Sequence, residues 1–282
     1  MELWFSENHT KNVRLSIKVT KQLYSGKSPY QRIDVYESKE FGRFLTLDGN
    51  LMFTEKDEFI YHEMMVHVPM AVHPNPQKIL VIGAGDGGVI RELVKYESVT
   101  KIDLVEMDKQ VIDVCRKYIR GTAKALDDGR VNIEYTDGLK FIRRRENEYD
   151  VIIVDSLDPF GKGEGLFTKE FYGTCHNALT ADGIMVNQHE SAFYKNEAVA
   201  MVRTHKKIKE AFNISRVYQA HIPTYPSGHW LFGFASKVHH PTKALNKVWG
   251  ELGITTRYYN PKLHCGAFAL PTYVEDMLKS VE

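Results

Sequence analysis

The chain of 282 residues is 43% hydrophobic and 26% charged, an ordinary composition for a globular protein that excludes the disordered and fibrous classes. Its 37 Lys and Arg residues nearly balance its 36 Asp and Glu residues, so no overall charge attracts nucleic acid or an anionic membrane. Three cysteines without C-x-x-C spacing argue against both a disulfide framework and a cysteine zinc site.

The first 57 residues predict β-strands, because apolar and polar residues alternate in the segments VRLSIKVT, RIDVYES, FGRFLTL and NLMFTE. Asp48 and Gly49 predict a tight hairpin turn between the last two segments. The pattern then changes to helical spacing in EKDEFIYHEMMVHVPM, in which the apolar side chains of Phe59, Met64, Met65 and Val68 fit one face. We therefore divide the chain into a small N-terminal β domain, residues 1–57, and a larger domain, residues 58–282.

In the larger domain, short apolar strands alternate with helical stretches. The strands are KILVIG, KIDLVEMD, VNIEYTD, YDVIIVDS and GIMVNQ, and helices are expected near 87–95, 109–119, 168–179 and 195–211. This alternation predicts an α/β fold, a parallel sheet covered by helices on both faces. VYQAHIP and HWLFGFASK are separated only by a short turn, so we expect them to complete a mixed sheet as an antiparallel pair.

The stretch KILVIGAGDGGVIRE joins an apolar strand to a helix through a glycine-rich turn. Such a turn often receives an anion on free backbone N–H groups, and we favour a nucleotide or nucleoside site over a simple tight turn. Gly83 and Gly85 let the backbone approach a ligand closely. Asp86, however, places a carboxylate where an anion is normally bound. We therefore expect this site to repel an anionic ligand group.

Four successive strands are each followed by an acid, and the carboxyl ends of parallel strands meet at one edge of the sheet. We expect Asp86, Glu106, Asp137 and Asp155 to converge there. Glu106 follows Gly85 at close to the roughly 20-residue spacing at which an acid reaches a ribose in dinucleotide-binding folds. Asp137 is equally well explained as the cap of a helix beginning at Gly138.

Asp155 directly follows the buried run VIIV, where an unpaired carboxylate is costly, and Asp158 stands three residues further on. A glycine-containing loop over 159–168 follows, and it has the composition of a mobile lid. Glu164 and Glu190 lie nearby in the sequence, and we expect both to be solvated loop residues. Histidines are scattered without a shared helix-face spacing, so we expect no metal site.

These motifs, in this order, resemble the polyamine aminopropyltransferase family, which includes the spermidine synthases. The resemblance runs through nearly the whole chain and is carried by YQRIDVYES, FGRFLTLDGNLMFTEKDEFIYHEMMVH, ILVIGAGDGGVIRE, VEMD, YTDG, VIIVDSLDPFGKGEGLFTKEFY and IPTYPSGHW. It implies transfer of an aminopropyl group from decarboxylated S-adenosylmethionine to an amine such as putrescine. It also implies a methyltransferase-like Rossmann domain behind a small β domain, assembled as a homodimer or homotetramer.

The resemblance also implies residue roles. Glu106 would hold the ribose and Asp137 with Gly138 the adenine, while Gln31 and Asp86 would hold the aminopropyl side of the donor. The acceptor channel would be lined by Tyr61, His62, Asp86, Asp155, Asp158 and Tyr225, with Asp155 as the proton acceptor. Without the resemblance, we would expect Tyr61 and Tyr225 to be ordinary packing residues at a domain junction. We would expect His62 to lie on the surface of a helix.

Three positions depart from the family pattern: Leu157 between Asp155 and Asp158, Lys162 on the loop, and His189 in VNQHES. Leu157 and Lys162 leave open which amine is the acceptor, among putrescine, agmatine, cadaverine and spermidine. A methyltransferase and a catalytically silent binding protein are the other functions considered; Asp86 argues against the first and Asp155 against the second. The expected partners are small molecules, with no metal or other cofactor and neither nucleic acid nor membrane.

No basic start leads into an apolar segment, and no uninterrupted apolar run approaches the roughly 20 residues of a membrane helix. Together with the unpaired cysteines, this predicts a soluble cytoplasmic protein.

Overall fold

The computed structural model describes residues 2–156, 165–243 and 249–281. Two small antiparallel sheets come first. Strands β1 (Leu3–Asn8) and β2 (Arg14–Val19) form one, and β3 (Lys21–Lys27), β4 (Arg32–Ser38), β5 (Gly42–Leu47) and β6 (Asn50–Thr54) form the other in sequential order. The sequence predicted four of these six strands. It missed β1 and β3 because they are largely exposed and show weak alternation. The domain boundary at residue 57 stays a prediction.

The hairpin turn between β5 and β6 is confirmed. Asp48 has φ 50° and Gly49 has φ 85°, and Leu47 pairs with Asn50. Positive φ at both central residues is the geometry of the type I′ turn that joins two twisted strands.

Helix α1 (Glu58–Val72) corrects one prediction. The spacing of its apolar residues indicated a single buried face, but nearly every residue of α1 is buried, and Phe59 is only partly so. The helix packs against α2 and against three strands of the large sheet. As a consequence Glu58, His62, Glu63 and His67 are buried polar side chains that each need a partner.

The large domain is the predicted mixed α/β sheet. Its strands are β7 (Lys78–Gly83), β8 (Lys101–Val105), β9 (Val131–Glu134), β10 (Tyr149–Asp155), β11 (Leu179–Gln188), β12 (Ile214–His221) and β13 (His229–Ser236). They lie in the order β12-β13-β11-β10-β7-β8-β9. Strands β7 to β11 are parallel, whereas β13 pairs antiparallel with both β11 and β12, as the sequence predicted.

The helices of this domain, in chain order, are α2 (Gly88–Leu93), α3 (Lys109–Tyr118), α4 (Arg120–Ala123), α5 (Gly138–Ile142), α6 (Lys169–Ala178), α7 (Lys195–Lys209), α8 (Pro261–Ala267) and α9 (Thr272–Lys279). The four predicted helices correspond to α2, α3, α6 and α7. Separate apolar clusters lie on the two sides of the central strands; Val81 belongs to one and Leu80 to the other. No helix within the described ranges is long and apolar enough to cross a bilayer.

The chain order of the central strands reverses between β7 and β10, because β8 and β9 lie on one side of this pair and β11 on the other. The crevice at such a reversal is where open α/β sheets bind ligands. Asp155 pairs in register with Gly83 at this point. Gly83 has φ 86°, and a Cβ there would lie 1.9 Å from the carbonyl oxygen of Asp155. Only glycine therefore fits this position.

Candidate active site

A cavity of about 500 Å³ opens at the carboxyl edge of the sheet, between the large domain and the N-terminal strands. Every predicted site residue within the described ranges lines it: Gln31, Tyr61, His62, Gly83, Gly85, Asp86, Glu106, Asp137, Gly138, Asp155 and Tyr225. The rule that parallel strands present their carboxyl ends at one edge thus located the four acids correctly. Asp158, Leu157, Lys162 and Glu164 lie outside the described residues.

The glycine-rich turn fixes Asp86 beside His62. The backbone N–H of Gly88 donates to Oδ1 of Asp86 at 2.7 Å, and Nε2 of His62 lies 3.4 Å from the same oxygen. Gly88 is required by this arrangement, because a Cβ there would lie 2.1 Å from the His62 ring. Gly88 therefore leaves the space that the imidazole of His62 occupies.

Glu106 faces the cavity from the end of β8, and its Oε1 accepts a hydrogen bond from the backbone N–H of Asp108 at 2.8 Å. Burial, together with the negative charge of Asp108, raises the pKa of Glu106 to about 7. Gln31 reaches the same region from the N-terminal sheet, and its side-chain amide donates to Asp108 at 3.0 Å. In this structure Gln31 thus braces the turn after β8.

Asp137 caps α5, since its Oδ1 accepts a hydrogen bond from the backbone N–H of Lys140 at 2.9 Å. The capping alternative considered for this residue is therefore correct. Asp137 and Gly138 also line the cavity. The two uses are compatible because a cap occupies only one carboxylate oxygen.

Asp155 lines the cavity at the end of β10. The hydroxyl of Tyr61 donates to its Oδ1 at 2.6 Å. Burial and the nearby charge of Asp86 raise the pKa of Asp155 to about 6, although His62 and Tyr61 oppose the increase. Asp155 is thus a stronger base than an ordinary carboxylate and is still ionised at neutral pH.

His62 is 2% exposed, so the alternative of a helix-surface histidine is wrong. Its Nδ1 lies 2.6 Å from Oε2 of Glu58, which Arg91 holds with two hydrogen bonds of 2.6 and 2.9 Å. Burial by itself would lower the pKa of His62, but Asp86 and Glu58 outweigh it and raise this pKa to about 9. His62 is therefore a cation at neutral pH.

Ligand atoms of His62, Asp86 and Asp155 all lie within 4.8 Å of one another, a spacing that also suits a metal ion. A metal needs a neutral imidazole, whereas Glu58 and Asp86 favour the protonated form of His62. The arrangement is better suited to a cationic group that donates hydrogen bonds to the two carboxylates.

Tyr225 and Tyr61 contribute apolar surface with their ring centroids 6.2 Å apart. The Tyr225 hydroxyl donates to the carbonyl oxygen of Met52 in β6 at 2.8 Å. Tyr225 thus packs at the junction of the two domains, which was the alternative to a role in the site. It also lines the cavity.

The sequence analysis missed several cavity residues. Glu190 was expected to be solvated, which is wrong: it is 4% exposed and lines the cavity. It follows β11 as the other acids follow their strands, so the same rule was available to find it. Glu58 had a local signal too, because it stands four residues before His62 on α1. Other cavity residues lack any such signal and are far apart in sequence: Glu7, His9, Glu197 and Trp230.

Comparison with known proteins gives consistent matches over the whole chain. Residues 58–246 match the spermine/spermidine synthase domain, and residues 3–55 match the spermidine synthase tetramerisation domain. The polyamine aminopropyltransferase of Clostridium beijerinckii is 66% identical over 282 residues, covering 100% of this chain and 99% of that protein. That of Clostridium perfringens is 64% identical over 282 residues, covering 100% of both.

Two solved structures share the fold. The crystal structure of a spermidine synthase in complex with the transition-state analogue AdoDATO has a TM-score of 0.96 at 44% identity, covering 99% of this chain and 95% of that one. The spermidine synthase from Thermotoga maritima has a TM-score of 0.94 at 43% identity, covering 99% and 94%.

Proposed function

This chain belongs to the spermine/spermidine synthase family, and we propose that it is a spermidine synthase. At the coarser level it is a polyamine aminopropyltransferase. The reaction we propose transfers the 3-aminopropyl group of decarboxylated S-adenosylmethionine to putrescine and releases 5′-methylthioadenosine. The donor is a co-substrate, and the chemistry below uses no metal or other cofactor.

The donor is a sulfonium, so its leaving group departs as a neutral thioether and needs no general acid. The amine nitrogen attacks the aminopropyl carbon bonded to sulfur. A new C–N bond forms as the C–S bond breaks, and the bonding electron pair passes to sulfur. What the protein supplies is alignment of the two reactants and removal of a proton from the attacking nitrogen.

Asp155 carries the proposal. A primary amine has a pKa of about 10, so at neutral pH it enters as an unreactive ammonium. The partly buried carboxylate of Asp155, with its pKa raised to about 6, binds that ammonium and accepts one proton from it, which frees the nitrogen lone pair for the attack. A well-placed general base contributes about 10² to 10⁴ in rate. The 2.6 Å hydrogen bond from Tyr61 fixes the orientation of this carboxylate.

The position of Asp86 supports a decarboxylated donor. S-adenosylmethionine carries a carboxylate that would meet Asp86 at the glycine-rich turn, and two negative charges there repel each other. A donor whose tail ends in an ammonium is attracted instead. In this proposal Glu106 and Asp137, which follow the neighbouring strands β8 and β9, bind the ribose and the adenine, and Gln31 braces this side of the site. Methyl transfer from S-adenosylmethionine is disfavoured for the same reason.

We also propose a homo-oligomer, since residues 3–55 match a tetramerisation domain. Whether two or four copies assemble is answered by light scattering of the purified chain.

The test of function is an incubation of purified protein with decarboxylated S-adenosylmethionine and a panel of amines, followed by mass spectrometry. Release of methylthioadenosine together with a gain of one C3H7N unit on putrescine is the expected result. If agmatine, cadaverine or spermidine is the preferred acceptor, the proposed acceptor is wrong but the proposed aminopropyl transfer stands. A methylated product, or no turnover with any amine, would overturn the proposal.

A further inference from the structure

The carboxylates at the sheet edge lie in a fixed order, set by the strand order. From β8 across β7 and β10 to β11, the acids that follow the strands are Glu106, Asp86, Asp155 and Glu190. Adjacent strands are about 4.8 Å apart. The nucleoside acids lie on the β8 side of Asp155, so an acceptor amine extends from Asp155 toward β11.

Glu190 is held rigidly on that side. It has φ 64°, an unusual conformation for a residue other than glycine, and the side-chain amide of Gln188 donates to its Oε1 at 2.8 Å. Its carbonyl oxygen accepts from the backbone N–H of Leu231 at 3.0 Å. Such a backbone persists only where its surroundings enforce it. The rings of Tyr225 and Trp230, with centroids 4.7 Å apart, give the same wall an apolar surface suited to methylene groups.

Beside this wall, the end of β1 meets the beginning of α7, since the hydroxyl of Tyr194, the residue before α7, donates to the carbonyl oxygen of Pro226, next to Tyr225, at 3.4 Å. Nε2 of His9 lies 2.6 Å from Oε1 of Glu197, and Nδ1 of His9 lies 3.7 Å from Oε1 of Glu7. The His9 ring also packs edge-on against Tyr194, with centroids 4.3 Å apart. The side chains of His9, Glu7 and Glu197 are largely buried, and all three line the cavity. The contact joins residues that are far apart in the sequence.

We propose that the His9–Glu197 pair closes the acceptor end of the cavity and restricts the acceptor to a diamine, an inference that rests on the aminopropyl transfer proposed above. A diamine presents one nitrogen to Asp155 and its second ammonium to the acidic wall that contains Glu190 and Glu7. A polyamine with a third ammonium has to place that charge where the His9 imidazole lies, and it has to separate His9 from Glu197. His9 is thus a specificity-determining residue.

The experiment measures kcat/KM for putrescine and for spermidine as acceptors, with saturating decarboxylated S-adenosylmethionine, in the full-length wild type and in His9→Ala. Removing the imidazole leaves space and uncovers the Glu197 carboxylate for an additional ammonium. We expect the ratio of kcat/KM for spermidine to that for putrescine to rise about tenfold, within the range by which one pocket contact discriminates substrates. His9→Asn, a smaller change, provides the same measurement if His9→Ala does not fold, and we expect a smaller rise.

Glu170→Gln is the matched control, because Glu170 also lies in the first turn of a helix and forms a 2.8 Å ion pair, with Arg143, outside the cavity. Its ratio should equal that of the wild type. An unchanged ratio in the His9 variants, or an equal loss for both acceptors, would overturn the inference while putrescine transfer by the wild type stands. Absence of transfer by the wild type itself would instead overturn the proposed function.

Discussion

The hydroxyl of Tyr61, on α1, donates a 2.6 Å hydrogen bond to Oδ1 of Asp155, at the end of β10. The two residues come from different layers of the fold; Tyr61 is buried and Asp155 is partly buried. The bond holds the carboxylate toward the cavity and stabilises its ionised form, in opposition to burial and to Asp86, which raise the pKa of Asp155. Tyr61 therefore influences both the orientation and the basicity of the proposed proton acceptor.

Tyr61→Phe should shift the pH dependence of the reaction. Loss of the hydrogen bond removes one influence that lowers the pKa of Asp155, so this pKa rises above its wild-type value of about 6. The acidic limb of the kcat/KM profile, which reports the free enzyme, should move to higher pH. Tyr273→Phe, on the exposed surface of α9, serves as the control. Coincident acidic limbs in the wild type and Tyr61→Phe would contradict the role given to Tyr61.

Asp155→Asn should lower kcat by about 10² to 10⁴ because the amide cannot accept the proton that the bound ammonium has to lose before its nitrogen can attack. Binding of the donor, measured by calorimetry without an acceptor, should change much less. Asp113→Asn removes an exposed, ion-paired carboxylate on α3 and should leave kcat unchanged. Turnover by Asp155→Asn close to the wild-type value would show that another group takes the proton.

Asp86→Asn should narrow the preference for decarboxylated S-adenosylmethionine over S-adenosylmethionine. The neutral amide neither attracts the donor's ammonium nor repels a carboxylate, while it still accepts the hydrogen bond from Gly88. We expect the dissociation constant for S-adenosylmethionine, divided by that for decarboxylated S-adenosylmethionine, to fall by about tenfold. This change corresponds to about 1.4 kcal/mol. Titration calorimetry with both nucleosides measures it. A ratio equal to that of the wild type would remove the selectivity role of Asp86.

His62 should make the free energy of unfolding depend on pH. Its pKa is about 9 in the folded protein, above the ordinary 6.5, so its stabilising contribution is complete below about pH 6.5 and is lost as the pH rises through 9. Over that window the free energy of unfolding should fall by on the order of 2 to 3 kcal/mol from this residue. Urea denaturation at a series of pH values measures the decrease.

Glu58→Gln should flatten that dependence, because Glu58 is one of the two acids that keep His62 protonated. The comparison of slopes is informative even though the variant is less stable at every pH. Glu275→Gln, an exposed position on α9, should keep the wild-type slope. Equal slopes in Glu58→Gln and the wild type would refute the coupling between Glu58 and His62.

Gly83→Ala should destabilise the fold by more than about 3 kcal/mol. The positive φ alone costs about 1 to 3 kcal/mol for a residue with a Cβ, and the clash of that Cβ with the carbonyl oxygen of Asp155 adds to it. Gly129→Ala, where a Cβ meets open space, should change the stability by less than about 1 kcal/mol. Thermal unfolding of both variants tests this prediction. Similar melting temperatures would contradict the close contact between Gly83 and the carbonyl oxygen of Asp155.

Local chemistry explains how much of the protein was predictable. Apolar strands such as KILVIG and YDVIIVDS can only be buried in a covered sheet, and the turn at Asp48 and Gly49 needs residues that tolerate positive φ. The convergence of Asp86, Glu106, Asp137 and Asp155 followed from the shared polarity of parallel strands. These are properties of single segments or of their repetition, so they are predictable from the amino-acid sequence alone.

The burial of α1, the groups that keep His62 protonated and the distant residues that meet at the cavity depend on tertiary packing. The Glu58 contact with Arg91, the Tyr61 contact with Asp155 and the His9 contact with Glu197 each join segments distant in the chain. Periodicity reports which side chains avoid water, but it carries no information about which distant partner a buried polar group meets. That choice is made when the layers pack, and here it determines the basicity of Asp155 and the charge of the site.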